Sequence, residues 1–472
     1  MARSFWHTSP TGQGPGSRSS WPWLITGGCL VVILLGLLIP RSRNAPANPA
    51  GLTNAGPRGA VTDPVQRGRL PHHRLGFGPA ISAEETVAAK VTRFAQSRRA
   101  ITRAMAERFK VEMPADVERF FDAAQAGHWD ELKGLFASLN QRRQGPDHDE
   151  GLKTLWPAIL ETYGVAEVAH GWPAQKLLDY GEAVLDSLRP GMVYVGGTDG
   201  GRFIPTLLNE TSDGEHHIVL TQNALADGTY LQYLGFLYGD QMAMLTGDES
   251  QRAFQDYMAD AQKRFMHDQQ FPEEPKQLRP GEDIQMTENR VQVSDQVAVM
   301  AINENLMQML MNKNPSLAFA LQESFPFKST YPDAAPLGPI MELQCQDVQT
   351  TFTTDAAAKT LDYWRNATQQ LPIGSETSQD QEVLKAYSKL ATAQAGLLAA
   401  HNFNAEAEQT YRFATEICPY DPEAVFSYVN LLVTQQRFAE AMPVVETAVR
   451  AAPDNQQLRD LLDSLKKRVK GK

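Results

Sequence analysis

Two stretches near the end of the chain, AEAEQTYRFATEICPYDPEA at 405–424 and FAEAMPVVETAVRAAPDNQQ at 438–457, carry the same pattern 34 residues apart. Ala407, Tyr411, Ala414 and Pro419 return as Ala441, Val445, Ala448 and Pro453. Small residues at Ala407/Ala441 and Ala414/Ala448 allow two antiparallel helices to approach closely, with the larger apolar residue between them filling the groove. The proline ends the second helix because it has no N–H to donate. Behind these units, QQLRDLLDSLKKRVK at 456–470 reads as a closing helix with a charged outer face.

This pattern resembles the tetratricopeptide repeat. Where that family usually has Trp and Gly in its first helix, this chain has Val425 and Val429 in the last repeat and Ala391 and Ala395 in the one before. The resemblance spans about 383–470 and implies an α–α superhelix that binds a protein partner and does no chemistry. Two repeats with a cap equally suit docking onto the chain's own neighbouring domain, since about three repeats make an independent array.

The chain has 472 residues, room for two or three domains, and 42% hydrophobic content, enough for a sizeable core. Cys29, Cys345 and Cys418 are too few and too scattered for a disulfide framework or a zinc site, leaving at most a Cys345–Cys418 bridge. The net charge of −11 conceals an asymmetry: residues 1–110 hold 15 Lys/Arg against 4 Asp/Glu, so the remaining 362 carry −22. A basic leader on an acidic body argues against a nucleic-acid-binding body and suits a leader beside anionic lipid.

After the tail at 1–20, the uncharged segment WPWLITGGCLVVILLGLLIP, Trp21–Pro40, would be about 30 Å long as a helix, the thickness of a bilayer core. Trp21 and Trp23 read as interfacial anchors, with Arg18 outside them and Arg41 and Arg43 at the far end. The competing reading is a cleaved signal peptide with Ala45-Pro46-Ala47 as its site. Residues 41–80, rich in Pro, Gly, Ala, Asn and Arg, have the composition of a flexible tether.

At Ser82 the pattern changes to helical. Ser82 and Glu85 form a capping-box signature, followed by Val87, Val91, Phe94, Ile101, Met105 and Phe109 at helical spacing. Lys90, Arg93, Arg98, Arg99, Arg103 and Arg108 share this helix and read as a solvated face. A helical hairpin broken at Gly127 and helices at about 152–164 and 173–187 complete a helical region over 82–187.

The α/β character is confined to 188–345. MVYV reads as a strand, RFIPTLLNE as a helix and IVLTQ as a second strand, a βαβ unit with parallel strands. A Pro- and Glu-rich linker at 268–284 precedes the Met-rich helix VAVMAINENLMQMLM, the strand LAFAL and a further strand PIMEL at 339–343. Met300, Met307 and Met311 read as core filling. A connecting helix at 353–370 leads to the repeats. The fold expected is therefore mixed and mainly α, with a transmembrane helix, a helical region, a small parallel α/β domain and a C-terminal α–α superhelix.

The glycine cluster Gly196-Gly197-Thr198-Asp199-Gly200-Gly201, followed by Arg202, falls at the carboxyl end of the first strand and opens a helix. Ligands gather at such edges, where helix N–H groups converge and glycine admits close approach. The spacing matches neither a Walker loop nor a Rossmann fingerprint. Asn223 and Asp227 follow the second strand toward the same edge, which makes Gly196, Gly197, Thr198, Asp199, Arg202, Asn223 and Asp227 the candidate site for an anion or sugar, with Asp199 and Asp227 a candidate carboxylate pair. Equally, the glycines suit a tight turn needing positive φ, and Asp227 suits a helix cap. His72-His73 and His216-His217 lack the i, i+4 spacing of a zinc motif, no serine sits in a G-x-S-x-G elbow, and no cofactor is expected.

RPGMVYVGGTDGGRFIPTLLNE with HHIVLTQNALADGTYLQYL resembles the soluble domain of bacterial polytopic membrane proteins related to protein O-mannosyltransferases. Thr198-Asp199 stands in the family's acidic turn, Leu225, Tyr230 and Leu234 fit its second segment, and PSLAFALQESFPFKSTYPDAAPLGPIMEL is similar to its later Pro- and Tyr-rich section. The family's many membrane spans and catalytic loop are absent, so the resemblance implies an accessory domain outside the cytoplasm. Together these readings describe a single-pass protein of a bacterial inner membrane with a periplasmic body, acting as an interaction or scaffold module. The rival is an envelope enzyme or binding protein for a glycan or phosphorylated ligand.

Overall fold

The computed structural model describes residues 81–145, 149–197, 200–279, 282–287, 290–293, 296–322, 328–344, 352–375 and 377–470. Trp21–Pro40, the tether at 41–80, Thr198, Asp199 and Cys345 lie outside these residues. Among the described residues there are 15 α-helices and a small sheet, and no helix is long and apolar enough to cross a membrane.

Helix α1 (Ala83–Phe109) starts where the capping-box residues place it: the Ser82 hydroxyl accepts from the Glu85 N–H at 3.1 Å, and the Glu85 carboxylate accepts from the Ser82 N–H at 2.9 Å. Its apolar stripe buries Val87, Phe94 and Met105. Helices α2 (Ala115–Ala126) and α3 (Trp129–Gln144) form the expected hairpin, turned by Gly127 at φ 70°. Helix α4 (Glu150–Gly171) is almost wholly buried from Leu155 to Val168, and α5 (Ala174–Leu185) follows after Pro173.

Strand β1 (Val193–Gly196), helix α6 (Gly200–Glu210) and strand β2 (Ile218–Thr221) make the βαβ unit, with β1 and β2 parallel in register Val193 to Ile218. Helices α7 (Gly228–Tyr238) and α8 (Gly247–Gln270) come next. A two-stranded hairpin, β3 (Ile284–Thr287) with β4 (Arg290–Val293), then leads to α9 (Gln296–Lys313). Helix α9 buries Met307 and Met311 in the core. Strands β5 (Phe319–Leu321), β6 (Ala335–Leu337) and β7 (Ile340–Leu343) complete the main sheet in the order β2-β1-β5-β7-β6.

That order corrects the expectation of a parallel sheet. Only β2, β1 and β5 are parallel; β7 runs antiparallel to β5, and β6 antiparallel to β7. A parallel neighbour requires a crossover of a dozen residues or more, whereas two residues suffice for a hairpin. Here Gly338 and Pro339 join β6 to β7, with Gly338 at φ 61°, a backbone angle glycine adopts without strain. Strand β6 escapes sequence reading because Pro336 sits inside it, tolerated on the sheet's outer edge.

Alternation along β1 separates two layers. Val193 and Val195 join an apolar core with residues of α7, α8 and α9, while Tyr194 joins one with α5, α6 and the C-terminal helices. Those helices are α10 (Thr354–Gln370), α11 (Ser378–Ala400), α12 (Asn404–Ile417), α13 (Pro422–Thr434), α14 (Phe438–Ala451) and α15 (Gln456–Lys470). Fully buried Trp364 of α10 shares the second core with Tyr194 and Ile340. The Gln394 amide of α11 donates to the Ile340 carbonyl of β7 at 2.6 Å, and the His401 ring donates to the Tyr331 carbonyl at 2.7 Å.

Candidate functional site

The strand order reverses direction between β1 and β5, which makes the carboxyl ends of these strands the topological switch point where an open α/β sheet presents its crevice. Gly196, Gly197 and Gly201 lie there. The crevice is occupied by the chain's own Gln322, directly after β5, whose side-chain oxygen accepts from the Gly197 N–H at 2.9 Å. The Thr221 hydroxyl donates to the Gly197 carbonyl at 2.7 Å, and buried Tyr194 donates its hydroxyl to the Gly201 carbonyl at 2.5 Å.

These contacts explain the glycines differently from a left-handed turn. Neither Gly196 nor Gly201 has a positive φ. A Cβ on Gly201 would stand 2.3 Å from the Gln322 amide oxygen, and one on Gly196 only 3.1 Å from the Gly201 carbonyl oxygen. Close approach of strand end, helix start and glutamine is what excludes a side chain.

Arg202 points into the protein. It is 7% exposed, and its guanidinium donates to Glu161 at 3.1 Å while lying 5.4 Å from the centre of the Tyr230 ring. Glu161, in the middle of α4, also accepts from Arg98 Nε at 3.0 Å and from the Tyr233 hydroxyl at 2.6 Å. Arg98 reaches Glu210 at the end of α6 at 3.1 Å. Two guanidiniums thus face two carboxylates in a cluster that ties α1, α4, α6 and α7 together. Burial pushes the Glu161 carboxyl upward, but Arg98, Arg202 and the Tyr233 hydroxyl outweigh it and hold the group below its ordinary range. Burial, with Glu161 adding to it, raises the Tyr233 phenol well above its usual value, and burial brings that of Tyr230 up to about 12.

The other candidates take local structural roles. Asp227 caps α7, its carboxylate accepting from the Thr229 N–H at 2.9 Å and the Thr229 hydroxyl at 2.7 Å. Asn223 lies in a short 3-10 turn after β2, its N–H directed at the Thr221 hydroxyl. Thr198 and Asp199, and with Asp199 the expected carboxylate pair, fall outside the described residues. The structure therefore joins Gly196, Gly197 and Gly201 through Gln322 and Thr221, and places Arg202 in a separate ionic cluster.

Sequence reading passed over Glu161, Tyr233, Gln322 and the special position of Arg98. The face of α1 expected to be solvated is split. Arg98 is 1% exposed, while Arg99 and Arg103 pair with Glu118 of α2 at 2.6 and 2.7 Å. A signal was present in the lone charge Glu161 within LWPAILETYGV, an otherwise uncharged and mostly apolar run.

In the C-terminal helices the backbone itself repeats at the 34-residue offset. Asn402 and Gln436 take left-handed φ values of 65° and 63° between successive helices, and the residues before α12 and α14, Phe403 and Arg437, have matching φ/ψ of −79°/61° and −86°/54°. Ala407, Ala414, Ala441, Val445 and Ala448 are completely buried, and Tyr411 stacks near Tyr428 with ring centres 6.3 Å apart. Pro419 and Pro453 each stand two residues beyond the last residue of their helix. Arg437 fastens successive units by holding Glu408 of α12 and Glu440 of α14. No protein-family model, no curated protein and no solved structure matches this chain.

Proposed function

We propose that the protein is a membrane-tethered interaction module of the bacterial cell envelope, held by Trp21–Pro40 and presenting C-terminal tetratricopeptide-like helices to a protein partner. The observation that carries this reading is the 34-residue recurrence of backbone angles and buried alanines across α11–α14. Helical hairpins stacked at a constant step create extended surfaces of the kind proteins use to hold one another. An outward-facing body follows from the resemblance of 190–345 to an extracytoplasmic domain. A ligand site at the sheet edge has less support, because Gln322 fills the crevice and Arg202 is engaged by Glu161.

Site-specific photo-crosslinking in cells tests the interaction. A crosslinker at Asn430, exposed on α13, should yield a discrete adduct that is missing when the crosslinker stands at Ala137, exposed on α3. No adduct at Asn430, or the same adducts from both positions, would end the proposal. The tether is tested by alkaline extraction: the full chain should stay with the membrane, and a chain lacking 1–40 should not.

A further inference from the structure

We draw no further inference here: the strongest candidate, the open cleft between α8 and α9 walled by Asp256, Asp260 and Glu304, is a group of carboxylates with no second feature pointing to a ligand, and nothing in the structure shows what would cover it.

Discussion

Glu161 accepts from three side chains at once, and its neighbours have no water to turn to if it is removed. Breaking one partner of a buried ionic cluster leaves uncompensated charge. Glu161→Gln should therefore destabilise the fold by about 3–5 kcal/mol, read as a lower urea midpoint. Tyr233→Phe removes one hydrogen bond to a charged acceptor and should cost about 1.5–3 kcal/mol. Equal midpoints for both variants and the wild type would show that the cluster contributes nothing net. The pH dependence has a definite sign. Because the folded-state value of Glu161 lies below its ordinary 4.5, its stabilisation is complete above that pH and is lost as pH falls through the folded value. Glu249 behaves likewise on the surface: Lys313, together with the Thr246 cap, holds it at about 2. Glu249→Gln should flatten the acid limb of the stability curve between about pH 4.5 and 2, and an unchanged limb would remove Glu249 from the account.

At the level of elements, the turn from β1 into α6 depends on Gln322 and Gly201 sharing one space. Gly201→Ala should destabilise by about 1–3 kcal/mol through overpacking, and Gln322→Ala by about 1–3 kcal/mol by stranding the buried Gly197 N–H. Combined, the two should cost less than their sum, because the alanine at 201 then occupies the volume the glutamine vacates; strict additivity in a double-mutant cycle would refute the shared packing. Ala414→Trp should open the seam of α12 by at least about 1–3 kcal/mol and expose sites after Leu371 to limited proteolysis, and an unaltered digestion pattern would count against a tight crossing there. Of these two elements, the helical one was far more legible in the sequence. Alanine spacing and terminal prolines are local patterns, while the partner of Gly197 is Gln322, 125 residues away. The β3–β4 pair, adjoining a segment read as linker, shows the same limit: Glu288-Asn289, between the two short strands, is not an Asn-Gly or Asp-Gly turn signal.

Across the whole molecule, the C-terminal helices belong to the body. Trp364 shares a core with the sheet, and α11 is bonded to β7 and to the turn before β6 through Gln394 and His401. A chain ending at 352 should consequently lose cooperative unfolding, and a sharp, wild-type-like thermal transition in that truncation would show that the sheet does not need these helices. Sequence by itself determined what repeats or alternates within a few turns of chain: the start of α1 at Ser82, the hairpin at Gly127, the strands on either side of α6, and the 34-residue rhythm. These follow from propensity, capping and periodic burial, which act between near neighbours. Tertiary structure alone decided that β7 runs against β5, that Gln322 closes the crevice at the glycine cluster, and that Arg202 and Arg98 turn inward onto Glu161. Each of those outcomes joins groups 20 or more residues apart, where the result depends on which distant surfaces meet and on the cost of burying a charge without its counter-charge.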